Sequence, residues 1–310
     1  MKKGLFYRKY IRPVKHTVGL AIIKIGIWKI RLFPREISLW FMSLLGSFAF
    51  FVLRRDRKIA IANLSHVFPD KSPAEINTFA KRIFQNASMN LADTVLARKI
   101  IDSEPRIWRV EGEEYLREYR DSIGGGVVIT GHIGCFELIP GICAKIGYKV
   151  GVVGRQLYDS RVDEILVRQR ESLGMVVVPS DASPRKLIRL IRDGYFIGIL
   201  MDTNTKSVDG KPAEFFGLQT RTISGPIGLA MLLETPPLPM AIHREDGNRF
   251  VLKIYPPLKL EKSGDKDSDL ENGLRSANEA IESMILDCPE EWIWFHPKFR
   301  DVVNFYSQSN

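Results

Sequence analysis

Hydrophobic and polar positions change rhythm part-way along this chain. From Val127 onward, short apolar runs at Val127–Thr130, Lys149–Val153, Met175–Val178, Phe196–Met201, Pro239–His243 and Phe250–Tyr255 have the length and β-branched content of strands. Longer mixed stretches lie between them, and Phe136–Gly147, Arg161–Leu173, Ser183–Arg192 and Ile223–Leu233 read as helices. This alternation predicts an α/β sandwich around a mostly parallel central sheet. Upstream, Lys58–Arg98 reads as helical, with Ser72-Pro73-Ala74-Glu75 supplying a cap, a first-turn proline and an acid at the positive helix end. Glu214-Phe215-Phe216-Gly217 and Thr222-Ile223-Ser224-Gly225 read as a glycine-punctuated loop entering a helix, Lys262–Asp269 as a polar loop, and Leu270–Leu286 as a closing helix.

The N-terminal pattern is different in kind. Ile37–Leu53 holds 17 residues without a charge, bounded by Arg35-Glu36 and Arg54-Arg55-Asp56-Arg57-Lys58. As a helix it spans roughly 26 Å against a hydrocarbon core of about 30 Å, barely enough to cross. Thr17–Ile30 is also apolar, but Lys24 and Lys29 interrupt it and favour an interfacial helix. Charge follows the same division. Of the net +9, residues 1–58 contribute +12, from fourteen Lys or Arg against Glu36 and Asp56, so the remainder is mildly acidic. Basic residues interleaved with aliphatic ones suit docking on an anionic lipid surface, at on the order of 1 kcal/mol per basic residue. They do not suit nucleic acid, which calls for an exposed aromatic platform. Both flanks are basic, so no single-pass orientation is selected. The expected organisation is a membrane anchor at 1–58 and one catalytic domain at 59–310, with a helical lead-in (59–125), an α/β core (126–258) and a C-terminal helical segment (262–310).

Candidate chemistry concentrates after the first strand, in Gly131-His132-Ile133-Gly134-Cys135-Phe136-Glu137. A β-branched run stopping at Gly131 should end at the carboxyl edge of a buried sheet, where open α/β folds carry their sites. His132 then stands on that edge, and Glu137 in the first turn of the next helix is within reach of the imidazole, an arrangement that fixes the tautomer of a general base. No Gly-x-Ser-x-Gly elbow is present, and the cysteines at 135, 143 and 288 read as packing residues. The five histidines are isolated, and no metal site or cofactor is expected. A base without its own nucleophile suits deprotonation of a substrate hydroxyl that attacks an activated acyl group directly. Arg155 and Asp202 follow strands and should crowd the same edge. Arg155 is a candidate for holding a phosphate or polarising an acyl carbonyl, and Asp202 either binds substrate or holds Arg155.

These residues carry a resemblance. The stretch 131–137 resembles the His-x4-acid signature of the lysophospholipid acyltransferase superfamily, and specifically the lipid A biosynthesis (late) acyltransferases of Gram-negative bacteria. Asn63-Leu64, Phe68-Pro69, Arg155, Arg170-Glu171-x-x-Gly174, Asp202, Phe215-Phe216-Gly217, Ala230 and Pro289–His296 resemble family blocks in the expected order. Cys135-Phe136 and Thr203 stand where family members often have Asn-Trp and Gln. The resemblance implies a glycerolipid-acyltransferase-like α/β fold and an enzyme of the bacterial inner membrane facing the cytoplasm. It would move a fatty acyl chain from acyl carrier protein to a hydroxyl of a lipid A precursor. By the same likeness His132 is the general base paired with Glu137, and Arg155, Arg170 and Asp202 bind substrate. Another glycolipid, lysophospholipid or aminolipid acceptor, acyl-CoA as donor, and hydrolysis of a lipid or thioester stay open on the residues alone.

Overall fold

A computed structural model describes residues 12–103, 107–204 and 210–306. Five helices lead, α1 (Arg12–Leu32), α2 (Arg35–Val52), α3 (Arg54–Val67), α4 (Pro73–Val95) and α5 (Ala97–Ile101), followed by β1 (Trp108–Glu111) and α6 (Glu113–Ser122). The core continues as β2 (Gly126–Thr130), α7 (Leu138–Lys145), β3 (Lys149–Gly154), α8 (Ser160–Ser172), β4 (Met175–Pro179), α9 (Pro184–Arg192) and β5 (Tyr195–Leu200). Then come β6 (Gly210–Phe215), β7 (Leu218–Ile223), α10 (Gly225–Leu233), β8 (Leu238–Glu245), β9 (Arg249–Ile254) and α11 (Lys266–Asp287).

The main sheet runs β1-β9-β8-β2-β5-β3-β4. Only the β8–β9 pair is antiparallel, so the mostly parallel α/β sheet expected from the alternation is present. β2 is buried along its whole length, as a continuous apolar run requires when both faces are covered. Its side chains divide the core. Val127 and Ile129 pack with Ile83, Ile227, Ala230 and Ile281 of α4, α10 and α11, whereas Val128 packs on the opposite face with Leu138, Ile139 and Ile142 of α7.

Two expectations need correction. The lead-in is not wholly helical, because β1 joins the sheet edge in parallel with β9. The glycine-punctuated stretch is a β-hairpin, not a loop: Phe216 and Gly217 take φ of 48° and 75°, the two left-handed positions that a tight hairpin turn needs. The capping residues behave as read, with Ser72 and Glu75 forming a reciprocal box at the start of α4.

α2 packs on α4 through one stripe, Ser38, Leu39, Met42, Gly46 and Phe50. Contact is closest at Gly46, where an added Cβ would lie 2.4 Å from the Phe84 carbonyl oxygen. The other side of α2 exposes Ile37, Trp40, Phe41, Leu44, Phe48 and Phe51. α2 is therefore no buried core helix. Residues 1–11 of the expected anchor lie outside the described residues.

Candidate active site

β2 and β5 run side by side in parallel, with Thr130 opposite Leu200. The Met201 N–H then donates to the Thr130 carbonyl, so both chains leave the sheet together and bring His132 and Asp202 face to face. His132 Nδ1 donates to Asp202 Oδ1 at 2.8 Å. The His132 backbone N–H donates to Asp202 Oδ2 at 2.8 Å, and the Trp292 indole N–H donates to the same oxygen at 2.7 Å. Gly134, at φ 59°, turns the chain immediately afterwards, and a Cβ there would sit 2.0 Å from the Ile242 carbonyl oxygen. The segment after α11 closes the site from the other side. Gly134 donates its N–H to Glu291, Ile293 donates to the His132 carbonyl, and Ile133 bridges Trp292.

Burial works against a proton on the His132 ring. The Asp202 carboxylate, by charge and by hydrogen bond, outweighs that penalty with help from the Glu137 charge, and raises the imidazole pKa above its ordinary 6.5. Asp202 is itself 1% exposed. Burial penalises its charge, but the facing imidazole, the His132 backbone N–H and the Trp292 indole hold it well below the usual carboxylate range. With Nδ1 committed to an ionised Asp202, Nε2 is the ring nitrogen that accepts a proton, and the His132 side chain is 21% exposed.

This geometry corrects two sequence expectations. Glu137 does not hydrogen-bond the His132 imidazole; both of its oxygens accept from Arg170, Oε2 from Nε at 2.9 Å and Oε1 from the terminal nitrogen. The cause is the turn at 135–137: Leu138 and Ile139 donate back to Cys135 and Phe136, which makes Glu137 the N-cap residue of α7 and sends its side chain toward α8. Asp202, expected on the substrate, instead orients the histidine. Arg170 lies against Gly154, where a Cβ would meet its guanidinium at 2.9 Å. Arg155 stands exposed after β3 and shares a groove with Gly154, Gln156 and Arg170. Cys135 is buried with its thiol against the Asn90 carbonyl and Thr94, and burial pushes its pKa far up, which makes it a poor nucleophile.

Beside the Glu137–Arg170 pair lies a narrow, partly open apolar cavity. Phe196, Gly198 and Leu200 of β5 line it together with Val128 and Thr130 of β2, alternate residues that mark one sheet face. Ile139, Pro140 and Cys143 of α7 form the facing wall. From Phe196 to Leu200 the cavity follows about 13 Å of strand, with Glu137 and Arg170 as its charged lining.

Trp292 escaped sequence reasoning as a site residue. A tryptophan buried at 0% exposure must satisfy its one donor, and that donor lands on Asp202. Asn63 is a second: its amide donates to the carbonyls of Trp294 at 2.7 Å and His296 at 2.9 Å, and its oxygen accepts from Tyr306.

A model of the bacterial lipid A biosynthesis acyltransferases matches residues 8–301. The chain belongs to this family. The acyltransferase is 22% identical to the lipid A biosynthesis palmitoleoyltransferase of Escherichia coli (strain K12) over 306 residues, 95% of this chain and 94% of that protein. It is 24% identical to the lipid A biosynthesis lauroyltransferase of the same strain over 263 residues, 83% of each. A lipid A biosynthesis myristoyltransferase from that strain is 22% identical over 254 residues, 81% of this chain and 77% of the relative. The acyltransferase thus resembles enzymes whose names carry three different acyl chains, and family membership gives acyl transfer in lipid A biosynthesis.

Proposed function

We propose that the enzyme transfers a fatty acyl group from acyl carrier protein to a hydroxyl of a lipid A precursor at the inner membrane, facing the cytoplasm, with His132 as general base. The observation that carries this reading is the His132–Asp202 pair, whose imidazole packs edge-on against Phe136 in the lining of an apolar cavity. The pair supports a base free at Nε2, and the cavity supports a fatty chain as the group bound next to it. His132 takes the proton of the acceptor hydroxyl. The oxygen attacks the thioester carbonyl, and collapse of the tetrahedral intermediate expels the thiolate, which recovers that proton from the imidazolium. No side-chain nucleophile is consumed. Glu137 adds negative charge that favours the imidazolium and holds Arg170 at the cavity, where the guanidinium meets the reacting end of the donor. Arg155, in the adjoining groove, suits a phosphate of donor or acceptor.

The exposed face of α2 supports membrane docking, because large side chains such as Trp40 and Phe48 gain by entering a leaflet. Mass spectrometry of lipid A and polar lipids from cells carrying the enzyme or H132A tests the reading. One lipid A species gaining one acyl chain only with the intact enzyme is expected. Gain by another lipid would overturn the acceptor, and transfer from acyl-CoA at equal efficiency in a purified assay would overturn the donor.

A further inference from the structure

A second imidazole faces the first. His296 has its ring centroid 5.2 Å from that of His132, at 48° between planes. Its backbone is held on three sides: its N–H donates to Ile293, and its carbonyl accepts both from Lys298 at 2.8 Å and from the Asn63 amide at 2.9 Å. Asn63 is itself fully buried. A polar anchor of this kind fixes the position of the residue, whereas among the described residues neither ring nitrogen of His296 has a hydrogen-bond partner. The ring is half-buried beside Phe295. A histidine held this firmly, with its polar atoms uncommitted beside the base, is placed to meet something that is not protein.

We propose that His296 is a further catalytic residue of the transfer, donating a hydrogen bond from its neutral imidazole to the oxyanion that forms on the thioester carbonyl. This rests on His132 acting as the base. As the acceptor O–H gives its proton to His132 Nε2 and its oxygen bonds to the carbonyl carbon, the carbonyl π pair moves onto oxygen, and the N–H of His296 meets that charge. When the C–S bond breaks, the pair returns to re-form the carbonyl, and the sulfur takes the proton from His132. His296 begins and ends neutral. The attacking oxygen and the oxyanion are neighbours on one tetrahedral carbon, so base and donor must flank a single point, each at about 2.7–3.1 Å from its own oxygen. Ring centroids 5.2 Å apart leave room for one such carbon between the two imidazoles.

The proton affinities of the two rings diverge in the direction this division of work requires. Asp202 raises that of His132, whereas burial first, and then the positive charge of His132, lowers that of His296. Two histidines driven apart in this way take different roles in one site. His296 stays a neutral donor and does not compete for the proton.

Kinetics of the full-length enzyme in detergent, with acyl donor and lipid A precursor, tests the assignment. H296F and H296L keep apolar bulk but no donor, whereas H296Q and H296N each place an N–H near one ring nitrogen. The donor-less variants should lose about 10²–10³-fold in kcat with KM for both substrates within about twofold. At least one amide variant should recover tenfold or more over them. If the donor-less variants turn over within threefold of wild type, or if amide and apolar variants are equally impaired, the proposal is overturned. H132A in the same assay separates the two readings. A silent H296F beside a dead H132A overturns only the role of His296, while an active H132A overturns the base on which it rests. Phe at 296 preserves ring packing against Phe295, and H296L supplies a second donor-less variant should it fail to fold.

Discussion

Asp202 Oδ1 accepts the Nδ1 proton of His132 at 2.8 Å, across 70 residues of sequence and between two neighbouring parallel strands. The carboxylate five residues after the histidine is bound elsewhere, to Arg170. The orienting partner of the proposed base is thus a residue of β5's exit, and the pair is assembled by sheet register.

D202N removes the charge that raises the His132 pKa and presents an amide to a nitrogen that must donate. The kcat is expected to fall about 10³–10⁴-fold. The base works only when neutral, so activity falls as pH drops through the His132 pKa, which lies above 6.5 in the wild type. In D202N that acidic limb should move to lower pH. A kcat/KM profile from pH 5 to 9 checks both, and an unmoved limb would contradict the pairing.

Glu137 and Arg170 act as one unit, with side chains 16% and 15% exposed. E137Q and R170Q should each lower kcat/KM at least tenfold, and the double variant should be no worse than the poorer single. A double-mutant cycle then returns a coupling on the order of 1–3 kcal/mol. Additive losses would mean the two residues serve separate steps.

Gly198 borders the apolar cavity, and a Cβ there meets nothing closer than 3.7 Å. G198V fills space on a side where the first added carbon has room. Donor preference should shift to shorter acyl chains, with the longest good donor losing tenfold or more in kcat/KM. Competition among acyl donors of graded length reads this directly, and an unchanged ranking would remove the chain from the cavity.

The apolar face of α2 gives a fourth outcome. Trp40, Phe41 and Phe48 are 64%, 60% and 63% exposed, so W40S/F41S/F48S should fold with little change in Tm yet float poorly with anionic vesicles. Wild-type flotation by the triple variant would free α2 of that role.

Lys298 is fully buried, its ammonium 4.4 Å from the Phe215 ring centroid and 3.5 Å from Thr222 Oγ1. Burial pushes its pKa down to about 8 from 10.5, against the pull of Asp202 and Glu282. A folded pKa below the unfolded one means the folded state binds the proton more weakly. This group therefore destabilises below pH 8 and ceases to do so as pH rises toward 10.5, a span worth about 3 kcal/mol. K298M should exceed wild type in Tm at pH 7 and lose most of that margin at pH 10. Equal margins at both would place the cost elsewhere.

Most of the sheet was legible because six of its seven strands are short, largely apolar runs, and each of the six read from sequence lies where the structure has one. β1 is only four residues long and half of it is charged, so no apolar run marks it. β6 and β7 were hidden by Pro212 and by a turn whose first left-handed residue is Phe216, where glycine or asparagine is the usual signal. In the site, His132 and Asp202 were both singled out, but their contact depends on register, which carries no local signature. Glu137 shows the reverse failure. Its closeness in sequence suggested a contact that the helix N-terminus turns away from the ring, toward Arg170.

The C-terminal segment sets an order of events during synthesis. Trp292 completes the shell around Asp202, and Asn63 fastens residues 294 and 296, so the first helices and the last stretch of chain meet at the catalytic edge. A ribosome exposes α2 more than two hundred residues before it releases Trp292. On the proposed docking role of α2, the growing chain meets a lipid surface while Asp202 still lacks its Trp292 donor.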